Sequence, residues 1–309
     1  MSRAGRPSGH GHRVDAEIRW AHQVLSAAGI DTARTDAEWL LAATLRVDRG
    51  RLVILDTVDD AARARFHDAV QRRAHRVPLQ HIIGTAPFGP VELEVGPGVF
   101  TPRPETEFLA EWAARSVEGS GQARVVDLCS GSGALAIAVA TMVPTAQVTA
   151  VERSPDALMW LRRNVERAAP AVAERISVIA ADVTDVDQMC AIIPDRSVDV
   201  VVSNPPYVPE GGVISPEVAH DPHEAVFAGD DGMSVITPML VVIGRILRPD
   251  GVVGIEHDET TAAAVLAELG ADGQFLDMLT RTDLAGRPRF ATARRAPDPV
   301  ADPRGRMAG

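Results

Sequence analysis

Four consecutive residues hold the clearest potential for chemistry in this chain: Asn204, Pro205, Pro206 and Tyr207. They lie where the β-branched run 198–204 ends, so the sequence predicts them at the carboxyl end of a strand. Two prolines fix the backbone and cannot donate hydrogen bonds, which makes the segment stiff. The Asn204 side-chain carbonyl and the Pro205 backbone carbonyl then offer two acceptors to an NH2 group, and Tyr207 offers a flat surface to a planar amide or base. A strand-ending turn with a core tyrosine is the alternative interpretation.

A second group of residues lies in the turn 127–136, DLCSGSGALA, between a predicted strand and a predicted helix. Gly131 and Gly133 allow a tight turn and the close approach of a ligand. Glu152 ends the next predicted strand 21 residues after Gly131, near the spacing at which a carboxylate reaches ribose hydroxyls. A loop with an unrelated strand-ending charge is the alternative, and the combination of both features argues against it.

Two aspartates bear on the identity of a nucleotide-like cofactor. Asp127 directly precedes the glycine turn, where it would repel a pyrophosphate but could help to receive an ammonium group. This favours S-adenosylmethionine (AdoMet), which carries an amino acid portion and no phosphate. Asp182, at the end of a later predicted strand, could accept a hydrogen bond from an adenine amino group or could be a solvated carboxylate.

The elements that must position these residues alternate between strands and helices after residue 122. Strands are predicted at 124–129, 147–152, 176–182, 198–204 and 251–257, and helices at 134–143, 154–168 and 234–247. Nearly continuous apolar strands that alternate with helices predict an α/β fold with a parallel sheet covered on both faces. Such sheets bind ligands outside the carboxyl ends of their strands, where both groups of residues fall.

The rest of the chain divides by composition. Helical periodicity over 14–75 predicts a small helical domain, the Gly- and Pro-rich stretch 76–107 predicts a hairpin-like linker, and 108–295 contains the predicted α/β domain. Residues 1–13 and 296–309 lack periodicity and are expected to be disordered.

Composition excludes several functional classes. The 309 residues carry a net charge of −11, which argues against broad binding to a nucleic acid backbone. Cys129 and Cys190 lack the spacing of a disulfide framework or a zinc site. The chain has neither a secretory signal nor an apolar run that could span a bilayer, so we expect a cytoplasmic protein.

Some charged residues have less specific interpretations. Arg103 and Glu105 could line a cleft or form a surface ion pair. Asp199 and Glu256, at the beginning and end of predicted strands, could be structural. Four residues that could suggest a metal lack the spacing that would make them converge, so no metal is expected: His220, His223, Glu224 and His257.

Several motifs together resemble known enzymes. The turn DLCSGSGALA with the Asn-Pro-Pro-Tyr tetrapeptide resembles class I AdoMet-dependent methyltransferases that act on amino nitrogens. Five further stretches resemble the HemK/PrmC family of glutamine N5-methyltransferases: 76–84, 100–107, 203–209, 221–233 and 247–261. The resemblance covers residues 14–295. It implies a Rossmann-like sheet of seven strands with a small N-terminal helical domain, and 283–295 would supply an antiparallel last strand.

The resemblance also implies a cofactor and its contacts. Carried over by position, the AdoMet-binding residues are Asp127, Cys129, Ser130, Gly131, Ser132, Gly133, Glu152, Asp182, Val183 and Asn204, and the glutamine would lie against the tetrapeptide that Asn204 begins. Three positions depart from the family pattern. Glu152 replaces a frequent aspartate, Cys129 and Ser130 replace Gly-Thr, and Val183 stands where some relatives have an aromatic residue.

The function that the resemblance implies is methylation of the glutamine in the Gly-Gly-Gln motif of class I peptide chain release factors, in translation termination. A ribosomal protein glutamine is an alternative substrate. DNA adenine is another, because adenine N6-methyltransferases use similar tetrapeptides to hold a flipped base. An acidic chain without a large target-reading module argues against DNA. A non-catalytic AdoMet-binding module would be expected to have lost the tetrapeptide, which is intact here.

Overall fold

The computed structural model describes residues 11–119, 121–283 and 285–297, which form two compact units. The helical unit combines the described part of Met1–Ala86 with Val95–Pro97 and Ile214–Asp221. The sheet unit combines Pro87–Glu94, Gly98–Val213 and the described part of Pro222–Gly309. Most of the predicted disordered ends, residues 1–10 and 298–309, lie outside the described residues.

The elements follow in chain order. The helices are α1 (Val14–Ala27), α2 (Ala33–Leu45), α3 (Asp60–Ala74), α4 (Leu79–Ile83), α5 (Thr106–Ser116), α6 (Ala134–Met142), α7 (Pro155–Arg167), α8 (Pro170–Ala173), α9 (Val186–Ile192), α10 (His223–Val226), α11 (Ile236–Ile246) and α12 (Ala262–Gly270). The strands are β1 (His12–Arg13), β2 (Thr57–Val58), β3 (Thr85–Phe88), β4 (Val91–Glu94), β5 (Arg124–Leu128), β6 (Gln147–Glu152), β7 (Ile176–Ala180), β8 (Val198–Ser203), β9 (Leu247–Glu256), β10 (Phe275–Thr282) and β11 (Pro288–Arg295).

The helical unit forms around apolar residues that recur at helical spacing. Ile18, Ala21 and Leu25 lie on one face of α1 and are buried, as are Phe66 and Val70 of α3. The Asp59 carboxylate caps α3 by accepting the Ala62 N–H at 2.7 Å. The predicted helical pattern is therefore confirmed. Disorder was expected for residues 1–13. This was wrong for His12 and Arg13, which form β1 and pair antiparallel with β2.

A buried ion pair connects two helices of this unit. Arg73 of α3 donates from Nε to the Asp36 carboxylate of α2 at 2.7 Å, and both side chains are less than a tenth exposed. Arg73 also contacts Glu217 at 3.1 Å, and Arg76 contacts the same Glu217 oxygen at 2.9 Å. Glu217 belongs to Ile214–Asp221, which the sequence analysis assigned to the catalytic domain. The segment packs instead with the helical unit.

The sheet unit is built on a seven-stranded sheet in the order β10-β11-β9-β8-β5-β6-β7. Strands β5 to β9 are parallel, and β11 runs antiparallel between β9 and β10. This confirms the Rossmann-like sheet and the antiparallel strand expected within 283–295. Strand β10 was not predicted from the sequence, because it lies at the edge of the sheet and most of its side chains are exposed. The hairpin expected in the linker is β3 with β4, and the short helix α4 precedes it.

The strand order creates a switch point. From β5 the chain proceeds outward to β6 and β7, then returns to place β8 on the other side of β5. The carboxyl ends of the strands at such a switch point are the usual ligand site of these folds. The apolar helices α6 and α11 pack in the core of this unit, and most of their residues are buried.

We predict that Asp36→Ala destabilises the protein by about 2 to 4 kcal/mol, because it leaves the buried Arg73 guanidinium with one carboxylate fewer. Asp15→Ala is the matched control, since Asp15 pairs with Arg13 and Arg19 on the surface of the same unit and its loss should cost much less. Urea unfolding of both variants measures the difference. Equal stabilities would contradict a stabilising role for the buried pair.

Candidate active site

The two sequence motifs meet because their strands are neighbours. Leu128, the last residue of β5, pairs with Ser203, the last residue of β8. The Ser203 hydroxyl donates to the Leu128 carbonyl at 2.7 Å and closes the gap between the two strand ends. Adjacent strands lie about 4.8 Å apart, so the glycine turn and the tetrapeptide leave the sheet side by side.

The glycine turn needs its two glycines for different reasons. Gly131 has a φ of 54° and faces open space, where a Cβ would meet no atom of the described chain within 4 Å. Gly133 has a φ of 87°, and a Cβ there would lie 2.6 Å from Leu161 Cδ1. Gly131 therefore leaves room for a ligand against the backbone, whereas Gly133 lets α6 approach the rest of the unit.

Glu152, at the end of β6, holds the glycine turn in place. One of its carboxylate oxygens accepts the Gly131 N–H at 2.9 Å, and the other accepts the backbone N–H groups of Arg153 and Ser154, both at 2.8 Å. The predicted role at ribose hydroxyls stays a prediction. The structure adds a second role, since this carboxylate joins the end of β6 to the loop after β5.

Asp127 is completely buried near the beginning of α6. One carboxylate oxygen accepts the Ala136 N–H at 3.1 Å, while the other, Oδ1, has no hydrogen-bond partner among the described residues. Burial raises the pKa of Asp127 from 3.8 to about 7, and the nearby Glu152 carboxylate adds to this shift. An unpartnered buried acceptor is costly in the free protein, and a donor such as an ammonium group would satisfy it.

The remaining predicted cofactor residues frame the same crevice. Ser130 and Ser132 are buried, and the Ser130 hydroxyl donates to the Asp127 carbonyl at 2.9 Å. Cys129 has a φ of 61°, a left-handed conformation that is strained for a residue with a side chain. Desolvation, with the Glu152 and Asp127 carboxylates nearby, raises the pKa of its thiol above the usual range. The thiol is therefore a poor nucleophile.

Asp182 and Val183 follow β7. Partial burial acts to raise the pKa of Asp182, but hydrogen bonds from Thr184 and Arg153 outweigh it and lower the pKa. The Thr184 hydroxyl lies 2.7 Å from one Asp182 oxygen and Arg153 lies 3.2 Å from the other. Val183 is buried among core side chains. The predicted adenine contacts of both residues stay predictions.

The tetrapeptide is anchored at both ends. The Asn204 Nδ2 donates to the Thr106 hydroxyl at 3.3 Å, and the Tyr207 hydroxyl donates to Glu256 Oε1 at 3.3 Å. Pro205 and Pro206 between them are buried. Desolvation and the Glu256 carboxylate raise the pKa of Tyr207 well above its ordinary value, so the phenol keeps its proton and remains a donor.

The backbone after the tetrapeptide is equally fixed. Val208 pairs with the segment before Gly229, since its N–H donates to Val226 O at 3.0 Å and its carbonyl accepts from Ala228 at 2.9 Å. Gly232, with a φ of 77°, lies so close that a Cβ there would come within 2.3 Å of the Tyr207 carbonyl oxygen. The stretch 221–233, singled out from the sequence, thus packs part of its length against the tetrapeptide.

Two residues of the site were not identified from the sequence as functional. Thr106 begins α5 and Glu256 ends β9. Both lie in stretches that resemble the family, 100–107 and 247–261, but the sequence gave Thr106 no role of its own and left Glu256 as a residue that could be structural. Both are buried beside the tetrapeptide. Burial, together with Glu105, raises the pKa of Glu256 from 4.5 to about 7, against the lowering effect of hydrogen bonds from Thr106 and Tyr207 and of Arg289. Their places in these family-like stretches and at the ends of elements were the available clues.

The weaker candidates have other contacts. The Arg103 guanidinium lies 5.0 Å from the centroid of the Phe100 ring. His220 contacts the His75 carbonyl within the helical unit, whereas His223 pairs with Glu210 in the sheet unit. Among the described residues, no cluster of His, Cys, Asp and Glu side chains could hold a metal ion. No helix in that part of the chain is long and apolar enough to cross a membrane.

Comparison with known proteins identifies the family. Models described as the PrmC N-terminal domain and the methyltransferase small domain match residues 18–84 and 94–222. A release factor glutamine methyltransferase from Mycolicibacterium smegmatis is 51% identical over 92% of this chain and 98% of its own length. Proteins of that name from Corynebacterium glutamicum and Streptomyces coelicolor are 47% and 45% identical, covering 90% and 91% of this chain and 97% and 98% of their own lengths. The chain belongs to the release factor glutamine methyltransferase family.

Membership in this methyltransferase family confirms the resemblance found in the motifs, and the site fits the methyl donor AdoMet. The unpartnered Asp127 oxygen is an acceptor suited to the donor's ammonium group, and the open space at Gly131 admits a ligand against the backbone. Glu152 has further lone pairs for hydroxyl groups. The chain therefore offers one acceptor suited to an ammonium group and another suited to hydroxyl groups.

We predict that Glu152→Gln weakens AdoMet binding about ten-fold or more, because an amide NH2 cannot accept the backbone N–H groups that the carboxylate now holds. Isothermal titration calorimetry measures the affinity. Asp199→Asn is the matched control, because Asp199 accepts the Arg124 N–H at 2.7 Å at the opposite ends of the strands. A similar loss of affinity in both variants would contradict a local role for Glu152.

We predict that Asp127→Asn becomes more stable relative to wild type as the pH rises. With a pKa raised from 3.8 to about 7, Asp127 contributes stability that is full below about pH 4 and is lost as the pH rises through about 7. The variant cannot titrate there, so the difference in the free energy of unfolding should grow between pH 5 and pH 8 in urea unfolding. Its AdoMet affinity should fall. A difference independent of pH would refute the shifted pKa.

Proposed function

We propose that this protein transfers the methyl group of AdoMet to the side-chain amide nitrogen of the glutamine in the Gly-Gly-Gln motif of class I release factors. The 51% identical relative bears the name of this activity and is matched over nearly its whole length. We also place the reaction in the cytoplasm, where release factors act on ribosomes.

One observation supports the proposal most directly. The strand that ends before the tetrapeptide pairs with the strand that ends before the glycine turn, with Leu128 opposite Ser203. A methyl donor held at the glycine turn and an amide held at the tetrapeptide would therefore lie side by side. Binding two reactants in this way lowers the barrier to a direct transfer between them, because it removes the entropy cost of bringing them together.

The tetrapeptide supplies hydrogen-bond acceptors that orient the amide and assist its weakly reactive nitrogen. The Asn204 side-chain carbonyl and the Pro205 backbone carbonyl accept the two N–H groups of the glutamine amide and stabilise the positive charge that develops on its nitrogen. Tyr207 supports the flat amide. AdoMet, when bound, would supply an electrophilic methyl group on a sulfonium; as the bond to the amide nitrogen forms, the S–CH3 bond breaks, the neutral thioether leaves, and the nitrogen loses one proton to solvent. No covalent enzyme intermediate is needed, in keeping with the raised pKa of the Cys129 thiol.

The helical unit is our candidate for recognition of the release factor. The match to the PrmC N-terminal domain, residues 18–84, covers most of the predicted helical domain at 14–75. Apolar side chains lie open to solvent on this unit, with Val53 89% and Ile54 72% exposed. Exposed apolar residues of this kind suit a protein partner. In this division 76–107 serves as linker and 108–295, apart from the segment Ile214–Asp221, as the catalytic domain.

The deciding experiment is to incubate the purified protein with AdoMet and an unmodified class I release factor, then to locate the added methyl by tandem mass spectrometry. A methyl on the Gly-Gly-Gln glutamine supports the proposal. A release factor with that glutamine replaced by alanine is the control and should stay unmodified. Transfer only to a ribosomal protein glutamine or to DNA adenine would overturn the assigned substrate.

We predict that Asn204→Ala lowers kcat for methyl transfer by at least about 10²-fold, because it removes an acceptor that the amide needs as charge develops. AdoMet affinity should change little, since the glycine turn and Glu152 remain. Single-turnover rates and calorimetry separate the two effects. Near-normal turnover in this variant would remove Asn204 from the catalytic role.

A further inference from the structure

A chain of hydrogen bonds runs behind the tetrapeptide, inside the sheet unit. Asn204 donates to Thr106, Thr106 donates to the Glu256 carboxylate, and Tyr207 donates to the same carboxylate. Thr106 is 4% exposed and Glu256 is 3% exposed, so water does not compete freely for these groups. Both ends of the tetrapeptide therefore converge on one buried acid.

The direction of each bond follows from the chemistry of its members. An ionised carboxylate can only accept, so the Thr106 hydroxyl must donate its one proton to Glu256. That hydroxyl can then only accept from Asn204. The Asn204 side chain must consequently turn its NH2 group toward Thr106, and its carbonyl oxygen remains for another partner.

This direction matters because an asparagine amide has nearly the same shape in both orientations. With the carbonyl outward, Asn204 accepts from the NH2 group of a glutamine substrate. With the amide reversed, two NH2 groups would face each other and the bond would be lost. The hydrogen-bond chain selects the first orientation before the substrate arrives, and this avoids a cost at the moment of reaction.

We propose that Glu256 and Thr106 are positioning residues that fix the orientation of the Asn204 amide, so that its carbonyl oxygen receives the substrate NH2 group. Glu256 acts through Thr106 on one end of the tetrapeptide and through Tyr207 on the other. The proposal rests on the proposed function for the identity of the substrate. The orientation of Asn204 in the free protein does not depend on it.

The charged and titratable groups around Glu256 determine the pH range in which the hydrogen-bond chain keeps its direction. Glu105 before α5 raises its pKa and Arg289 of β11 lowers it, while Tyr207 is a neutral donor. His257 and Asp258 follow it in sequence, and burial lowers the pKa of His257. With a pKa of about 7, Glu256 is ionised above neutrality and gains a proton below it. A protonated acid can donate to Thr106, and the direction of the chain is then no longer fixed.

The first test compares three variants in the methylation of an unmodified class I release factor. Thr106→Val removes the hydroxyl with little change in volume and should lower kcat about ten-fold or more, with unchanged AdoMet affinity. Thr106→Ser keeps the hydroxyl and should stay within about three-fold of wild type. Thr292→Val is the matched control, since Thr292 is buried in β11 and contacts the Leu279 carbonyl at 3.3 Å. Full activity in Thr106→Val would overturn the proposal.

The second test is the pH profile. In wild type, kcat should fall as the pH drops through about 7, and Glu256→Gln should lower kcat at pH 8 and remove this limb of the profile. Asp127 also has a pKa near 7, but a limb caused by Asp127 would survive Glu256→Gln. Persistence of the limb in Glu256→Gln would therefore refute the role of Glu256.

A third test needs no substrate. Proton and nitrogen NMR of the Asn204 side-chain amide, assigned by its loss in Asn204→Asp, should show a shift that titrates near pH 7 in the free protein. Thr106→Val should abolish this titration while the fold is retained, as judged by thermal unfolding. An amide signal that is insensitive to pH and to Thr106→Val would overturn the positioning role.

The three readouts separate the two proposals. If wild type leaves the release factor unmethylated but the Asn204 amide titrates through Thr106, the proposed function fails and the positioning stands. If wild type methylates the release factor and neither kcat nor the amide signal responds to Thr106→Val, the positioning fails and the function stands. The double variant Glu256→Gln/Thr106→Val should lose no more kcat than Thr106→Val alone. This is expected if both residues act through the same hydrogen-bond chain.

Discussion

The site depends on the parallel pairing of β5 with β8 at the switch point of the sheet. This pairing joins two loops that are distant in sequence, and the Ser203 hydroxyl fixes the strand ends to each other. Since parallel neighbours end at the same edge, a ligand at one loop is near a ligand at the other without any further machinery. For methyl transfer between two bound molecules, this placement of the two ligands is the primary requirement, and an acid or base is secondary.

Buried carboxylates organise the three strand ends around the crevice. Asp127 supports the beginning of α6, Glu152 holds the glycine turn, and Glu256 accepts the hydrogen bond from the Tyr207 hydroxyl. Burial raises the pKa values of Asp127 and Glu256 to about 7, so both acids destabilise the fold when ionised at neutral pH. The oxygens concerned have defined surroundings: Asp127 Oδ1 has no hydrogen-bond partner among the described residues, and Glu256 Oε1 accepts from Tyr207.

The helical unit has a different physical basis. Its core is a set of apolar side chains at helical spacing, and its buried ion pair links Asp36 with Arg73. The same arginine holds Glu217 of Ile214–Asp221, a segment that follows the tetrapeptide in the chain.

Sequence alone determined the alternation of strands and helices, the glycine turn and the tetrapeptide, because each is a local pattern of apolar period, backbone freedom or stiffness. It missed β10, whose exposed edge position leaves no apolar pattern, and it gave no role to Thr106 or Glu256. Those two residues lie 98 and 52 positions from Asn204. Only the tertiary structure brings them together, because their hydrogen bonds depend on how α5, β8 and β9 pack. Contacts between distant residues leave no mark on local sequence.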